Sequence, residues 1–549
     1  MPYSCVVLII LLSTIPQSFC LNALFIGIGA AGHVTPLFEL AKAMNKHNVT
    51  FLTQQMAQSY IDLKSYSSSS FRVVYDNDSS DALIVEKNRE QQVWSHLANR
   101  SLLDALIQVT PIFGQMSISV LNKTIHILMS EQFDVIVASR VVIGVSVLCE
   151  KTNTPCVMQQ PAAFPNIFDF NVPNVCALLS SKDLTQFGQR IYNVVFTIRI
   201  MTKMVPKLVP ALYKLFQSIP RIPGPFYDIF TLQNFRFSQS KCLNLISMPP
   251  TFFTPSYSYH HTKYLGAFVN ETLVKNVDND LTRWIKAKPF SSILYGAFGS
   301  SSLILHERMY NLISGLATFL LQTNGSSLVL GFLSANYLMY QTVLKDLVDV
   351  ELRDVLNDDK RVRIENGFVN QKWILQQDSV KVFLSHCGMG SCLEALYFTK
   401  PILCMPFTSD QFANGFTITN LNVGQSLLVP PSMWQSLIRP YDFYQYTFTA
   451  SSVTNKLLTL WSDAKYEKAA QLMSLEMKHA GGLKRAVEEI EFFVNLHGDL
   501  DRFAPFQSTL SFYQRYMLDI LFIFTVLPGI VIIYITLKCC KRRRKQKTD

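Results

Sequence analysis

At 549 residues the chain is long enough for two or three domains with separate cores, and too long to be one small module. Its formal net charge is +10, but the last twelve residues carry more than half of it, which leaves no basic patch of the kind a nucleic-acid binder needs. Of eleven cysteines, two fall in the first twenty residues, two in the last twelve and seven between, an odd and sparse set that excludes a disulfide scaffold.

Residues 1–20, MPYSCVVLIILLSTIPQSFC, place an apolar run before small residues at Ser18 and Cys20 and read as a signal peptide. From Asn22 an apolar run, an amphipathic stretch (HVTPLFELAKAMNKH) and a second apolar run (VTFLTQQ) form a β-α-β unit of a parallel sheet. FDVIVAS, Phe133 to Ser139, is a buried strand, followed by a helix and the short strand PCVMQ. The stretch from Gly188 to Phe216 sets Arg190, Arg199, Lys203, Lys207 and Lys214 among apolar residues; an ordinary helix with a solvated charged face is favoured over one lying on a membrane surface.

The alternation of strand and helix restarts at SSILYGAFGS, Ser291 to Ser300, so two α/β units follow in series with a changeover near residues 270–290. The helical stretches KYEKAAQLMSLEMKH and RAVEEIEFFVNLHG are expected to pack between the second unit and a membrane. Leu518 to Leu537 is apolar apart from Asp519 and matches the ~20 residues that cross a bilayer, with a kink at Pro528 and Gly529. The basic tail KCCKRRRKQKTD that follows is expected on the cytosolic side, which puts the body in the lumen. Lysines third and fifth from the end resemble a retrieval signal of endoplasmic reticulum membrane proteins, and sequons begin at Asn48, Asn77, Asn99, Asn122, Asn270 and Asn324. The divisions are therefore a signal peptide (1–20), two Rossmann-like domains (21–275 and 276–500), a membrane-proximal segment (501–516), a transmembrane helix (517–537) and a cytosolic tail (538–549).

Several motifs are weak. Gly27, Gly29 and Gly32 have GxGxxG spacing, but the second strand ends in TQQ without the acidic residue that a dinucleotide ribose requires, so the glycines read as a tight turn that presents His33. Neither DND triplet, at Asp76–Asp78 or Asp278–Asp280, closes a clear apolar strand, and Asp280 reads as a helix N-cap. No cluster has metal-ligand spacing.

The strong signal runs from Gly367 to Asn414. A strand, KVFLS, ends at HCGMGS, a loop that opens the helix CLEALYF; backbone amides at a helix start, small residues and a histidine make a phosphate cradle. A second strand, PILCMP, ends in FTSDQFAN on the same carboxyl edge of the sheet, where ligands bind.

This stretch resembles the nucleotide-sugar signature of the UDP-glycosyltransferases, and the order of segments is similar to the membrane-anchored UDP-glucuronosyltransferase group. The resemblance implies an α/β fold of two facing Rossmann-like domains (GT-B-like) plus a C-terminal transmembrane helix, the first domain binding acceptor and the second UDP-sugar. It implies that Phe368 stacks on uracil and Gln371 lines the donor site. His386 and Ser391 contact pyrophosphate, Gly388 gives the close turn, Glu394 accepts the ribose hydroxyls, and Asp410 and Gln411 bind the transferred sugar. Asn370 stands where the family has proline.

The resemblance makes His33 the base that deprotonates the acceptor, its ordinary pKa of ~6.5 keeping it largely neutral. It also implies a supporting aspartate at the end of FDVIVAS, where this chain has Ser139, and a hydroxyl supplies no negative charge. Asp134 lies at the other end of that strand, roughly 16 Å away at ~3.3 Å per residue. Two readings follow: inverting, metal-independent sugar transfer to a hydroxyl of a small lipophilic acceptor, or a catalytically impaired UDP-sugar-binding membrane protein. No cofactor is expected, UDP-sugar being a co-substrate; homo- or hetero-oligomerisation stays open, and a dehydrogenase on GxGxxG is the third alternative.

Overall fold

The computed structural model describes residues 20–59, 61, 70–76, 102–142, 144–161, 170, 172–174, 177, 179–218, 242–253, 260–271, 279–299, 302–407, 410–428, 448–504, 506 and 510–545. Residues 1–19 of the signal peptide, the sequons at Asn77 and Asn99, Asp78, Asp278 and the last four residues lie outside them. Two compact units emerge, one extending to Gly498 and the other made of residues 259–261 with 499–549.

The first part of the larger unit runs β1 (Asn22–Ile26), α1 (Ala31–Ala43), β2 (Asn48–Gln54), β3 (Phe71–Asp76), α2 (Leu102–Ser130), β4 (Val135–Ser139), α3 (Val145–Thr152), β5 (Cys156–Gln160), α4 (Phe187–Ser218), β6 (Leu243–Ile246) and β7 (Thr262–Tyr264). Its strands form one parallel sheet in the order β3-β2-β1-β4-β5-β6-β7. The central strands are buried almost throughout, as a sheet covered by helices on both faces requires.

The second part adds α5 (Asp280–Lys286), β8 (Ile293–Ala297), α6 (His306–Gln322), β9 (Ser327–Phe332), α7 (Ser334–Asp346), α8 (Val350–Leu356), β10 (Val362–Asn366), α9 (Gln371–Gln376), β11 (Val380–Ser385), α10 (Met389–Tyr397), β12 (Ile402–Cys404), α11 (Gln411–Asn420) and β13 (Gly424–Ser426). This sheet has the order β10-β9-β8-β11-β12-β13. Leu294, Leu328, Leu330, Val382 and Leu384 point to one core and Tyr295, Val329 and Phe383 to another, so the strands bury both faces. In each sheet the strand order reverses beside the first strand, between β1 and β4 and between β8 and β11, and ligands bind outside the carboxyl ends of strands at such a switch point.

Three further helices follow, α12 (Ala450–Ser462), α13 (Ala464–His479) and α14 (Gly482–Asn495). Helices α13 and α14 pack on the body. Ser474 Oγ donates to the Tyr397 carbonyl, Gly482 N–H donates to Leu265 O, and His47 Nε2 meets Glu491 at 2.9 Å. The apolar face of α14, with Leu483, Ala486, Ile490, Phe493 and Val494 buried, is covered by protein.

Two smaller readings change. Asp76 does close a strand, β3, where it is buried and accepts a hydrogen bond from Ser119. Asn279, not Asp280, caps α5, in a reciprocal capping box with Thr282.

In the smaller unit, Leu518–Cys539 is long and apolar enough to cross a membrane and none of it is buried. Phe522–Val526 adopts a π-helical turn immediately before Pro528, whose missing N–H leaves the preceding turn without its usual partner.

Candidate functional site

The loop after β1 shows why glycines stand there. None of Gly27, Gly29 and Gly32 has positive φ. A Cβ on Gly27 would approach Leu37 of α1 to 3.0 Å, and one on Gly29 would lie 2.4 Å from Met56 Cγ, so a larger residue at either would require the neighbouring side chain to shift. Gln54, at the end of β2 where a dinucleotide site would need a carboxylate, accepts from Gly29 N–H at 2.8 Å and donates to Met116 O.

His33 follows in the first turn of α1, and burial holds its imidazole down to about 4. Helix α1 packs against β4, which Ser139 ends. Ser139 is fully buried and its Oγ makes no hydrogen bond among the described residues, so it is not bonded to His33. The sequence-based pairing of His33 with Ser139 thus brings them to one strand edge without joining them.

At the switch point of the second sheet, His386 follows β11. Its ring lies between two glycines: a Cβ on Gly299 or on Gly388 would sit 2.6 Å from Nε2. Gly388 has φ −60°, so it does not supply the turn expected of it; Cys387, at φ 60°, does, and Gly388 instead makes room for the imidazole. Burial holds His386 down to about 4, opposed by a hydrogen bond with the Ala297 carbonyl at the end of β8. The loop is pinned by a disulfide from Cys387 to Cys404, the last residue of β12.

Three of the donor-site residues inferred from the signature come together directly. Gln371, the first residue of α9, donates to Glu394 Oε2 at 2.6 Å and to Ser391 Oγ at 3.3 Å. Burial pushes the Glu394 carboxyl up, with Lys372 and the Gln371 amide working against it. Phe368 is 62% exposed, whereas Trp373 is buried in the core. Asn370, in the family's proline position, caps α9 through Oδ1 to Trp373 N.

Asp410 and Gln411 begin α11 beside this cradle. Burial pushes the Asp410 carboxyl up, while hydrogen bonds from Asn414, its own amide and the Met389 N–H pull it back. Gln411 Oε1 accepts from Phe407 N at 2.8 Å. Sequence reasoning assigned no role to Asn414, which donates both to Asp410 and to the Cys387 carbonyl and so joins the two loops. Its position four residues after Asp410, one helical turn, was the available signal. Gly299 was missed too, because only the fold brings it against His386.

Among the described residues no group of three His, Cys, Asp or Glu side chains is arranged to hold a metal ion. The cradle instead offers the N-terminus of α10, with its positive dipole end, beside a neutral histidine.

Residues 360–547 match the family model described as UDP-glucoronosyl and UDP-glucosyl transferase. The chain is 26% identical over 230 residues to "UDP-glycosyltransferase 708A6" of Zea mays, an alignment covering 41% of this chain and 44% of that relative. It is 26% identical over 168 residues to "Flavanone 7-O-glucoside 2''-O-beta-L-rhamnosyltransferase" of Citrus maxima, covering 30% and 35%. The matches span less than half the length of these curated relatives. Among solved structures, Os79 from O. sativa, in complex with U2F and trichothecene, aligns with a TM-score of 0.56 at 15% identity, over 87% of this chain and all of that one, and shares its two-sheet fold.

Proposed function

The chain is a member of the UDP-glycosyltransferase family with the GT-B fold, and from that premise we propose that it transfers a sugar from a UDP-sugar to a hydroxyl of a small lipophilic acceptor. The observation that carries this reading is the convergence of Gln371, Ser391 and Glu394 next to His386 and the α10 N-terminus, at the switch point of the second sheet. In it, Phe368 stacks on uracil, Glu394 and Gln371 take the ribose hydroxyls, and the α10 amides, Ser391 and His386 take the pyrophosphate. Asp410 and Gln411 take the transferred sugar.

In the same reading His33 removes the acceptor proton, with inversion at the anomeric carbon. A base held at about 4 is neutral and ready at pH 7, but it is weak until the transition state supplies a charge to stabilise the imidazolium. The α10 dipole and His386 stabilise departing UDP without a metal. The apolar Leu518–Cys539 helix anchors the body, which the reading places in the endoplasmic reticulum lumen. Glucuronate is one candidate among hexoses for the transferred sugar.

One observation favours a second reading. With Ser139 buried and making no hydrogen bond, no carboxylate at that position steadies the imidazolium, as in a protein that binds UDP-sugar and transfers it slowly or not at all. The test is to incubate the full chain with a panel of UDP-sugars and lipophilic phenols and sterols and to weigh the products. A glycoside supports transfer; UDP-sugar binding with no glycoside supports the second reading.

A further inference from the structure

Glu39 lies six residues after His33 on α1, about 600° around a helix at 100° per residue, so it faces away from the base. Its carboxylate is shared between two ammonium groups. Lys42, one turn along, meets Oε2 at 3.0 Å, and Lys372 of α9 meets Oε1 at 2.9 Å across 333 residues of sequence. The two long-range partners are only 12% and 18% exposed. Burial pushes the Glu39 carboxyl up but the two lysines outweigh it; burial pulls the Lys372 ammonium down but Glu39 and Glu394 outweigh that.

Lys372 is the neighbour of Gln371, whose amide grips Glu394 and Ser391, and it stands within electrostatic reach of Glu394 itself. Helix α1 also touches α10, the helix at the cradle. A buried ion pair is a poor source of stability, because desolvation consumes most of what attraction gives. It does fix geometry: a direct hydrogen-bonded contact defines the offset of two helices where a loose apolar contact would let them slide. Transfer needs such an offset, since a misplacement of about 1 Å between base and acceptor costs on the order of 10²-fold in rate.

We propose that Lys372 is a positioning residue for sugar transfer: through Glu39 it sets where α1, and with it His33, stands relative to the donor pocket of Gln371, Ser391 and Glu394. This rests on the reading of the protein as a UDP-sugar transferase with His33 as base. Lys372 itself does no chemistry. Occupation of the donor pocket is felt at α1 chiefly through this hydrogen-bonded contact, so UDP steadies a helix that it does not touch.

The experiment uses the full chain in detergent micelles, with Lys372→Met, Lys372→Arg, Glu39→Gln and the double variant Lys372→Met/Glu39→Gln. Lys372→Met and Glu39→Gln should each lower kcat about tenfold with KM for UDP-sugar within threefold of the parent. Lys372→Arg should recover kcat to within threefold, and the double variant should lose no more than either single one, because both act through one contact. Amide hydrogen exchange gives a readout that needs no turnover. UDP should slow exchange over residues 31–43 and 371–376 in the parent, but only over 371–376 in Lys372→Met.

Unchanged kcat in Lys372→Met with 31–43 still protected by UDP would overturn the proposal. So would a raised KM at unchanged kcat, which would make Lys372 a donor contact. If the parent binds UDP but forms no glycoside, the transferase reading fails while the exchange comparison still decides whether Lys372 links pocket and helix.

Discussion

Replacing Gly388 by alanine isolates one feature of the cradle. Its φ of −60° suits alanine, so no backbone strain enters, and the whole effect comes from a methyl group placed 2.6 Å from His386 Nε2. Ordinary contact begins at 3.4 Å, so the ring must retreat by roughly 0.8 Å. The imidazole can move only by giving up its bond with Ala297 and its place beside the α10 N-terminus. Overpacking of this size costs about 1–3 kcal/mol. Expressed as donor affinity, that is a loss of roughly 5- to 150-fold. Titration calorimetry with UDP on the purified full chain measures it, and Gly390→Ala, where a Cβ meets nothing within 4 Å, is the control two residues away. If Gly388→Ala binds UDP within twofold of the parent while folded, His386 does not need that space and the account of the cradle is wrong.

Other predictions concern the base and the metal. Because burial holds His33 near 4, the acid limb of kcat/KM should lie well below pH 6: at pH 5.5 an ordinary imidazole would be only about 10% neutral, this one almost wholly so, and a limb at pH 6.5 would refute the environment assigned to His33. Both His33 and His386 have lowered values, so below pH 6.5 the unfolded chain takes up protons that the native one refuses; melting temperature should fall from pH 6.5 toward 4, and a flat profile would count against their burial. Ser139→Asp should raise kcat at least tenfold and lower the melting temperature, since a carboxylate enters a fully buried site; loss of an orienting carboxylate costs about 10⁴ in a protease triad, which sets the ceiling. EDTA should leave transfer intact, and a strict requirement for Mn²⁺ would refute the dipole-assisted departure of UDP.

Much of this was legible in the sequence because it rests on local pattern. The buried runs NALFI, VIVAS and KVFLS, each followed by an amphipathic stretch, announce two parallel sheets, and the signature groups Gln371, Ser391 and Glu394, whose side chains meet at 2.6 to 3.3 Å. What stayed hidden depends on tertiary contact. Gly388 looks like a turn residue in one dimension and proves to be a gap for a ring. Leu483, Ile490 and Phe493 mark an apolar face on α14, but no local signal says that α14 packs against α1 and β6. The Cys387–Cys404 disulfide joins two strand ends that are neighbours only in the sheet, and Glu39 and Lys372, 333 residues apart, meet at 2.9 Å only in the fold.

The most direct measurement compares the full chain with its His33→Ala variant, following radiolabelled sugar from UDP-sugar into a lipophilic phenol while UDP affinity is measured on the same samples. The account predicts a labelled glycoside from the parent, a loss of 10² or more in rate for the variant, consistent with removal of a general base, and unchanged UDP affinity. Equal rates in parent and variant would contradict His33 as the base, and a parent that neither binds UDP nor releases it from any UDP-sugar would contradict the function itself.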